Sequence, residues 1–310
     1  MKKWKHLLKA VMAVGVIAMT AVQICAAAEG TAQAAVSEVT PVSISTNEIS
    51  GWPVGPEITS ETGVLMDADS GTLLYSKGGD EIRYPASITK IMTLLLAVEN
   101  CSLKEDVVFT ETGTRDISWD SGNIGMQVGE VMSMRACLYA LVIRSANEVA
   151  AQIAEHVGGT EQHFVDMMNE RAAQIGCTNT HFVNANGLHS EDHYTTVYDL
   201  YLMFNAAMQH EEFLQMLQEK EYQASYQAAD GTTVEAVWST TNQFTKGDVT
   251  VPDGVTAVGG KTGTTTAAMS CLVQLFEDAQ GEQYVAIILG CKERGILYQE
   301  MQTFLSNLNN

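Results

Sequence analysis

The chain has 310 residues, with 17 Lys and Arg against 37 Asp and Glu, for a formal net charge of −20. So acidic a surface repels nucleic-acid phosphates and argues against a basic patch holding the protein on anionic lipid. The length suffices for one large domain or two small ones.

The first residues set the compartment. Lys2, Lys3, Lys5 and Lys9 are followed by an apolar run over residues 10–24 and then by Ala26, Ala27 and Ala28. A basic head, a short apolar stretch and an A-x-A site make residues 1–28 a secretory signal peptide, cleaved near Ala28 or after Ala34. The expected location is therefore exported and extracytoplasmic. The apolar run is shorter than the ~20 residues that span a bilayer, so an uncleaved anchor is the weaker reading. Ile24 stands where a lipoprotein signal needs a small residue, which argues against lipidation at Cys25. Residues 29–55 are rich in Ala, Thr, Ser and Val without periodicity and read as a linker. Residues 56–310 read as the folded domain.

That domain opens with Val64-Leu65-Met66 and Leu73-Leu74-Tyr75 around a turn-rich stretch at 67–71, which predicts a hairpin. Pro85 announces a helix over 87–99, with Ile88, Ile91, Met92, Leu94, Leu95 and Val98 at helical spacing. Helices are predicted over 134–143 and 147–157, broken at Arg144-Ser145, and over 164–175 and 200–217. The last hundred residues return to strands. Residues 255–258 lead into Gly259-Gly260, then 270–276 and 284–289 form a hairpin, and a helix over 298–308 closes the chain. Strands at both ends around a helical middle predict an α+β architecture, an antiparallel sheet built from both ends of the chain with a helical cluster from the middle.

Five cysteines lie beyond Cys25: Cys101, Cys137, Cys177, Cys271 and Cys291. None has C-x-x-C spacing, so neither a zinc site nor a redox motif is implied, and buried free thiols are expected. Cys271 and Cys291 are placed to face each other across a hairpin. His189 and His193, four apart in a polar stretch, lack a helical pattern, so no metal ligand set is read, and no cofactor motif either.

Three short motifs carry the chemistry. In Ser87-Ile88-Thr89-Lys90, serine and lysine at i and i+3 of a helix project on one face. A serine hydroxyl becomes a nucleophile when a neighbouring base takes its proton. Lysine serves as that base if desolvation and a nearby cation, here Lys261, depress its pKa. The plainer reading makes Ser87 a helix cap and Lys90 a solvated charge. Ser145-Ala146-Asn147 lies between two apolar helices, where Ser145 can relay a proton and Asn147 can bond a substrate amide, or Ser145 can merely cap the second helix. The same S-x-N pattern at Ser121-Gly122-Asn123 reads as a turn. Lys261-Thr262-Gly263 follows two glycines at the start of a strand, which suits an edge that takes an extended peptide by strand addition. The backbone N–H of Thr264 can then join that of Ser87 in an oxyanion hole, with Lys261 and Thr262 meeting a terminal carboxylate.

The three motifs in this order match the set of penicillin-binding proteins and class A β-lactamases. The chain resembles the low-molecular-mass penicillin-binding serine D-alanyl-D-alanine carboxypeptidases over roughly residues 63–308. The resembling stretches run from Tyr84 to Thr93, from Ser145 to Ala150, from Asn186 to His189, from His193 to Thr196 and from Gly260 to Thr265. The resemblance implies a β-lactamase/transpeptidase-like fold and a serine peptidase without a cofactor. Its implied partners are peptidoglycan stem peptides and β-lactam antibiotics. It implies Ser87 as the acylated residue, Lys90 as proton acceptor, Ser145 and Asn147 as further catalytic residues, and Lys261, Thr262, Gly263 and Thr264 in substrate binding. Many such relatives add a β-rich domain and an amphipathic helix, and no C-terminal membrane anchor is evident in this sequence. Relatives also place an arginine near the last helix to grip the carboxylate, for which Arg294 is the candidate. A β-lactamase would carry E-x-x-L-N between the second and third motifs, and none occurs between Ser145 and Lys261. A DD-endopeptidase uses the same constellation, and a non-catalytic sensor would show degenerate motifs.

Overall fold

The computed structural model describes residues 55–115 and 121–306, all within one structural unit. The signal peptide, residues 29–54 of the linker and the last residues of the expected domain lie outside the described residues. A hairpin of β1 (Thr62–Asp67) and β2 (Leu73–Lys77) leads through a 3-10 turn at Ala86–Thr89 into α1 (Lys90–Asn100). Strand β3 (Asp106–Val108), short helix α2 (Glu111–Thr114) and β4 (Val131–Ser133) precede α3 (Met134–Tyr139), which runs into a π turn at Ala140–Arg144. Helices α4 (Asn147–Gly158), α5 (Glu161–Gln174), α6 (Val197–Met208) and α7 (Glu211–Gln218) follow. Then come hairpin β5 (Glu221–Gln227) and β6 (Thr233–Ser239), helical turn α8 (Gln243–Lys246), strands β7 (Val255–Thr265), β8 (Met269–Asp278) and β9 (Gln283–Cys291), and α9 (Arg294–Leu305).

The two ends of the chain meet in one antiparallel sheet of order β2-β1-β9-β8-β7. Strand side chains alternate between faces, and here both faces are buried. Val64, Met66, Val273, Leu275, Val285, Ile287 and Leu289 pack into the core shared with the helices. Leu65, Leu272, Phe276, Ala286 and Ile288 point the other way, against Leu297, Tyr298, Met301, Phe304 and Leu305 of α9. That spacing in α9 is a single helical stripe, and each such buried side chain contributes roughly 1.5–3 kcal/mol. Glu300, on the same helix, accepts hydrogen bonds from the amide (2.5 Å) and hydroxyl (2.8 Å) of Thr59, so the start of the domain is tied to its end. On the first face α1 is apolar nearly all round and buried from Lys90 to Ala97, the mark of a central helix.

The expected architecture is present, with differences of detail. A second sheet of order β3-β4-β5-β6 escapes the sequence pattern because it is mostly solvated. Ala224 is the one fully buried residue of β5, and the sheet is fixed by Tyr222 stacked on Tyr139 at 3.9 Å and adjacent to Trp238. The helix expected over 200–217 is two helices, parted at residues 209–210 without a Gly or Pro to announce the break. The five cysteines beyond Cys25 are free thiols. Cys291 pairs in register with Ser270, and a bulge after Ser270 leaves the Cys271 thiol donating to the carbonyl of Ala268. Among the described residues no helix is long and apolar enough to cross a membrane.

Candidate active site

Ser87 lies in the 3-10 turn and Lys90 opens α1, so the pair stands where the chain enters its most buried helix. The N-cap of α1 is Thr89 and makes no side-chain cap bond, so Ser87 is not the helix cap. Ser87 is half-buried, whereas Lys90 is 1% exposed. The Lys90 ammonium reaches Asn147 Oδ1 at 2.7 Å, the Asn186 carbonyl at 2.5 Å and Ser87 Oγ at 3.0 Å. Burial, the charge of Lys261 and, in opposition, that of Glu148 act on Lys90, and the result lies well below the usual lysine value. A neutral amine has two N–H donors and one lone pair. The Asn147 and Asn186 oxygens only accept, so they take the two donors. Ser87 is the one partner of the three able to donate, and the lone pair therefore faces its hydroxyl.

The second motif is held by strain. Ser145 follows the π turn in the left-handed region at φ 57°, ψ 34°, an uncommon conformation for a residue with a side chain. Ala146 occupies the N-cap of α4, so Ser145 does not cap that helix. Its Oγ instead accepts a hydrogen bond from Lys261 Nζ at 2.9 Å, leaving its own proton to donate elsewhere. Lys261 is 2% exposed and also donates to the Thr262 carbonyl at 2.7 Å. Burial first, then the positive charge of Arg294, lower Lys261 to about 7. Lys261 in turn is one of the charges that depress Lys90.

The third motif lies on β7, the edge strand of the large sheet, with its outer backbone edge unpaired among the described residues. A Cβ on Gly263 would fall 3.0 Å from the Pro85 carbonyl oxygen and 3.1 Å from the Ser87 nitrogen, so this strand passes directly beside the Ser87 amide. Ser87, Ser145, Asn147, Thr262, Thr264 and Arg294 all line one cleft of about 290 Å³. The structure thus brings the eight sequence-predicted residues to one place.

Several neighbours have no site role in the sequence reading. Ser121 and Gly122 line the cleft, and a Cβ on Gly122 would approach the Ser145 carbonyl oxygen to 2.5 Å, so this stretch is more than a turn. Glu148 Oε1 accepts from the amides of Ile124 (2.6 Å) and Gly125 (3.0 Å), pinning the same loop to the start of α4. Burial holds its carboxyl above the usual range, against the pull of those amides and of Lys90. The His193 ring accepts from the Val183 amide at Nδ1 (3.1 Å), which puts its proton on Nε2, 2.8 Å from Thr89 Oγ1. Burial keeps that ring neutral, down to about 4. Thr89 then donates to the Ala86 carbonyl at 2.8 Å. No spacing rule links these residues to Ser87, because they reach it through backbone atoms and through Thr89.

Ala86, the residue before Ser87, is itself left-handed at φ 48°. Gly187 backs it at φ 82°, and a Cβ there would lie 1.9 Å from the Ala86 oxygen. Gly187→Ala is expected to cost about 1–3 kcal/mol in backbone strain, plus the clash, and to slow acylation on the order of 10²-fold by displacing Ser87. Thermal melting and the rate of penicillin labelling measure the two effects. An unchanged rate would show that Ala86 does not position the nucleophile.

A family model described as D-alanyl-D-alanine carboxypeptidase matches residues 50–293. The chain is 34% identical over 154 residues to the D-alanyl-D-alanine carboxypeptidase DacF of Bacillus subtilis, covering 49% of this chain and 40% of that protein. It is 30% identical over 175 residues to a D-alanyl-D-alanine endopeptidase of Pseudomonas aeruginosa, covering 56% of each. It therefore spans about half the length of these two relatives. Among solved structures, the Streptomyces K15 DD-transpeptidase superposes with a TM-score of 0.76 at 25% identity, over 82% of this chain and 98% of that one.

Proposed function

Because the chain belongs to the D-alanyl-D-alanine carboxypeptidase family, we propose that it hydrolyses the terminal D-Ala-D-Ala bond of peptidoglycan stem peptides through an acyl-enzyme on Ser87. In this reading it works outside the cytoplasm of a bacterium, exported by the N-terminal signal, and β-lactams acylate the same serine. The observation that carries it is the lone pair of Lys90 aimed at Ser87 by two acceptor-only partners.

These contacts support the following steps. The stem peptide adds as a strand along the free edge of β7. Ser87 Oγ attacks the carbonyl carbon of the penultimate D-alanine while its proton passes to Lys90 Nζ. The amides of Ser87 and Thr264 stabilise the oxyanion. Ser145, fed by Lys261, delivers a proton to the departing amine, and terminal D-alanine leaves. Lys90 then gives up the proton it took, and Lys261 regains the one it supplied, both by exchange with solvent. Neutral Lys90 takes a proton from the attacking water and returns it to Ser87 Oγ as the ester C–O bond breaks and the shortened peptide leaves. Asn147, its oxygen engaged by Lys90, keeps its NH₂ for a substrate carbonyl. A second reading, cleavage of wall cross-links, is supported by the likeness to the Pseudomonas endopeptidase and uses the same steps. Incubation with a monomeric muropeptide ending in D-Ala-D-Ala and with a cross-linked dimer, read by mass spectrometry, separates them. D-alanine released from the monomer supports the carboxypeptidase. Cleavage of the dimer alone supports the endopeptidase.

The carboxylate of the substrate has three candidate cations, Lys261, Arg144 and Arg294. Lys261 was expected to meet it, yet its ammonium is engaged with Ser145 and the Thr262 carbonyl. Of the two arginines lining the cleft, Arg144 and Arg294, Arg294 is the one whose charge is felt at Lys261. We assign the carboxylate to Arg294 with Thr262, and the proton relay to Lys261 with Ser145. Arg294→Gln is then expected to cost about 2–5 kcal/mol in kcat/KM on a peptide acid and little on its C-terminal amide. Lys261→Gln should damage acid and amide alike. If Lys261→Gln instead spares the amide, the lysine reads the carboxylate.

A further inference from the structure

Away from the cleft, three side chains of different chemistry converge. Cys101 follows the last residue of α1, Glu105 lies in the turn before β3, and His156 is in the last turn of α4. Their Sγ, carboxylate oxygen and ring nitrogen all lie within 4.8 Å of one another, and His156 Nε2 is 3.2 Å from Glu105 Oε2. None of the three lines the cleft. We propose that Cys101, Glu105 and His156 form a binding site for a borderline-soft divalent metal ion, Zn²⁺ above all, with solvent in the fourth position.

Four features support the assignment. Bonds of about 2.0–2.3 Å in a tetrahedral site give ligand-to-ligand edges of roughly 3.3–3.7 Å, so the His–Glu edge already fits, and the thiol needs a shift of about 1 Å at most. One thiolate, one imidazole and one carboxylate is a donor set that suits Zn²⁺ and Co²⁺ over Mg²⁺ or Ca²⁺. The second carboxylate oxygen, Glu105 Oε1, accepts from the Ser102 amide at 2.7 Å, which fixes the group and turns Oε2 toward the other two ligands. Finally, α1 and α4 both end at this cluster, and helix C-termini carry partial negative charge that favours a cation.

Without a metal the thiol is a poor nucleophile. Burial and the Glu105 carboxylate push it up to about 11. On binding, the Cys101 S–H bond breaks, its proton goes to the buffer, and the sulfur lone pair forms the metal bond. Glu105 donates a carboxylate lone pair, and His156 frees its Nε2 lone pair by passing the proton it shares with Glu105 Oε2 to the buffer or to its own Nδ1. The ion sheds waters, and no redox change occurs. The site would clasp α1 to α4 beneath the loop that leads to β3. The competing picture is a partly exposed His–Glu ion pair beside a thiol, worth only ~0–1 kcal/mol.

The test uses the purified protein stripped with chelator and titrated with Co²⁺, then Zn²⁺. One equivalent of Co²⁺ should produce thiolate-to-cobalt charge-transfer absorption, which Zn²⁺ then bleaches, and Zn²⁺ should raise the melting temperature. Cys101→Ser should abolish the absorption, and His156→Ala should weaken Zn²⁺ binding by at least roughly tenfold. If Cys101→Ser fails to melt cooperatively, Glu105→Gln carries the test, because its side chain is 44% exposed and tolerates the change. Absence of charge transfer at saturating Co²⁺ overturns the site. So does a Zn²⁺ affinity and melting shift that persist unchanged in the folded variants.

Discussion

Lys90→Arg is expected to slow acylation of Ser87 by about 10²–10⁴-fold, the usual worth of a positioned general base. Arginine preserves the positive charge and can keep the bonds to Asn147 and Asn186, but it has no lone pair to offer at any accessible pH. The effect therefore isolates proton transfer from packing. The same account fixes the pH profile of the parent protein. Acylation needs the neutral amine, so it should fall as pH drops through the lowered value of Lys90, far below that of an ordinary lysine. Lys261 is among the causes of that lowering, so Lys261→Gln should raise Lys90 and move the acid limb to higher pH. Stopped-flow measurement of penicillin acylation across pH checks both. A loss below tenfold in a folded Lys90→Arg protein would make Lys90 structural and require another base.

Ser87→Ala is expected to remove turnover almost entirely, on the order of 10⁶-fold in kcat, while the protein still folds. Alanine retains the backbone N–H that faces β7 and deletes one hydroxyl. Stability should change by no more than about 0.5–1.5 kcal/mol, the net worth of one hydrogen bond. D-alanine release from a muropeptide, together with a thermal melt, measures the two quantities. A loss of activity accompanied by a collapsed melt would say nothing for Ser87 as nucleophile, whereas near-normal turnover would exclude it.

Much of this arrangement was legible in the sequence because it is local or periodic. Ser87 and Lys90 are one helical turn apart, and Lys261-Thr262-Gly263 is continuous on a strand. The near-continuous apolar runs of β1, β8 and β9, bounded by turn residues, mark strands that are buried on both faces. What remained hidden depends on backbone atoms brought from afar. The Asn186 carbonyl that orients Lys90 is 96 residues away, and no side-chain type betrays a carbonyl. Gly187 and Gly122 matter for the space they leave beside Ala86 and Ser145, which only the folded chain defines. Strands β5 and β6 lack the apolar runs that found the other strands; Tyr222, Ala224 and Tyr226 do alternate with polar residues, but on a half-solvated face with one fully buried side chain in β5. Cys101, Glu105 and His156 come from three elements and share no spacing.

The most direct measurement is to treat the purified protein with penicillin, digest it, and locate the adduct by tandem mass spectrometry. The geometry around Lys90 predicts a single penicilloyl ester on Ser87, formed in one-to-one stoichiometry and absent from Ser87→Ala. An adduct on Ser145 or elsewhere, or release of D-alanine by a protein that never acquires an adduct, would contradict the acyl-enzyme on Ser87.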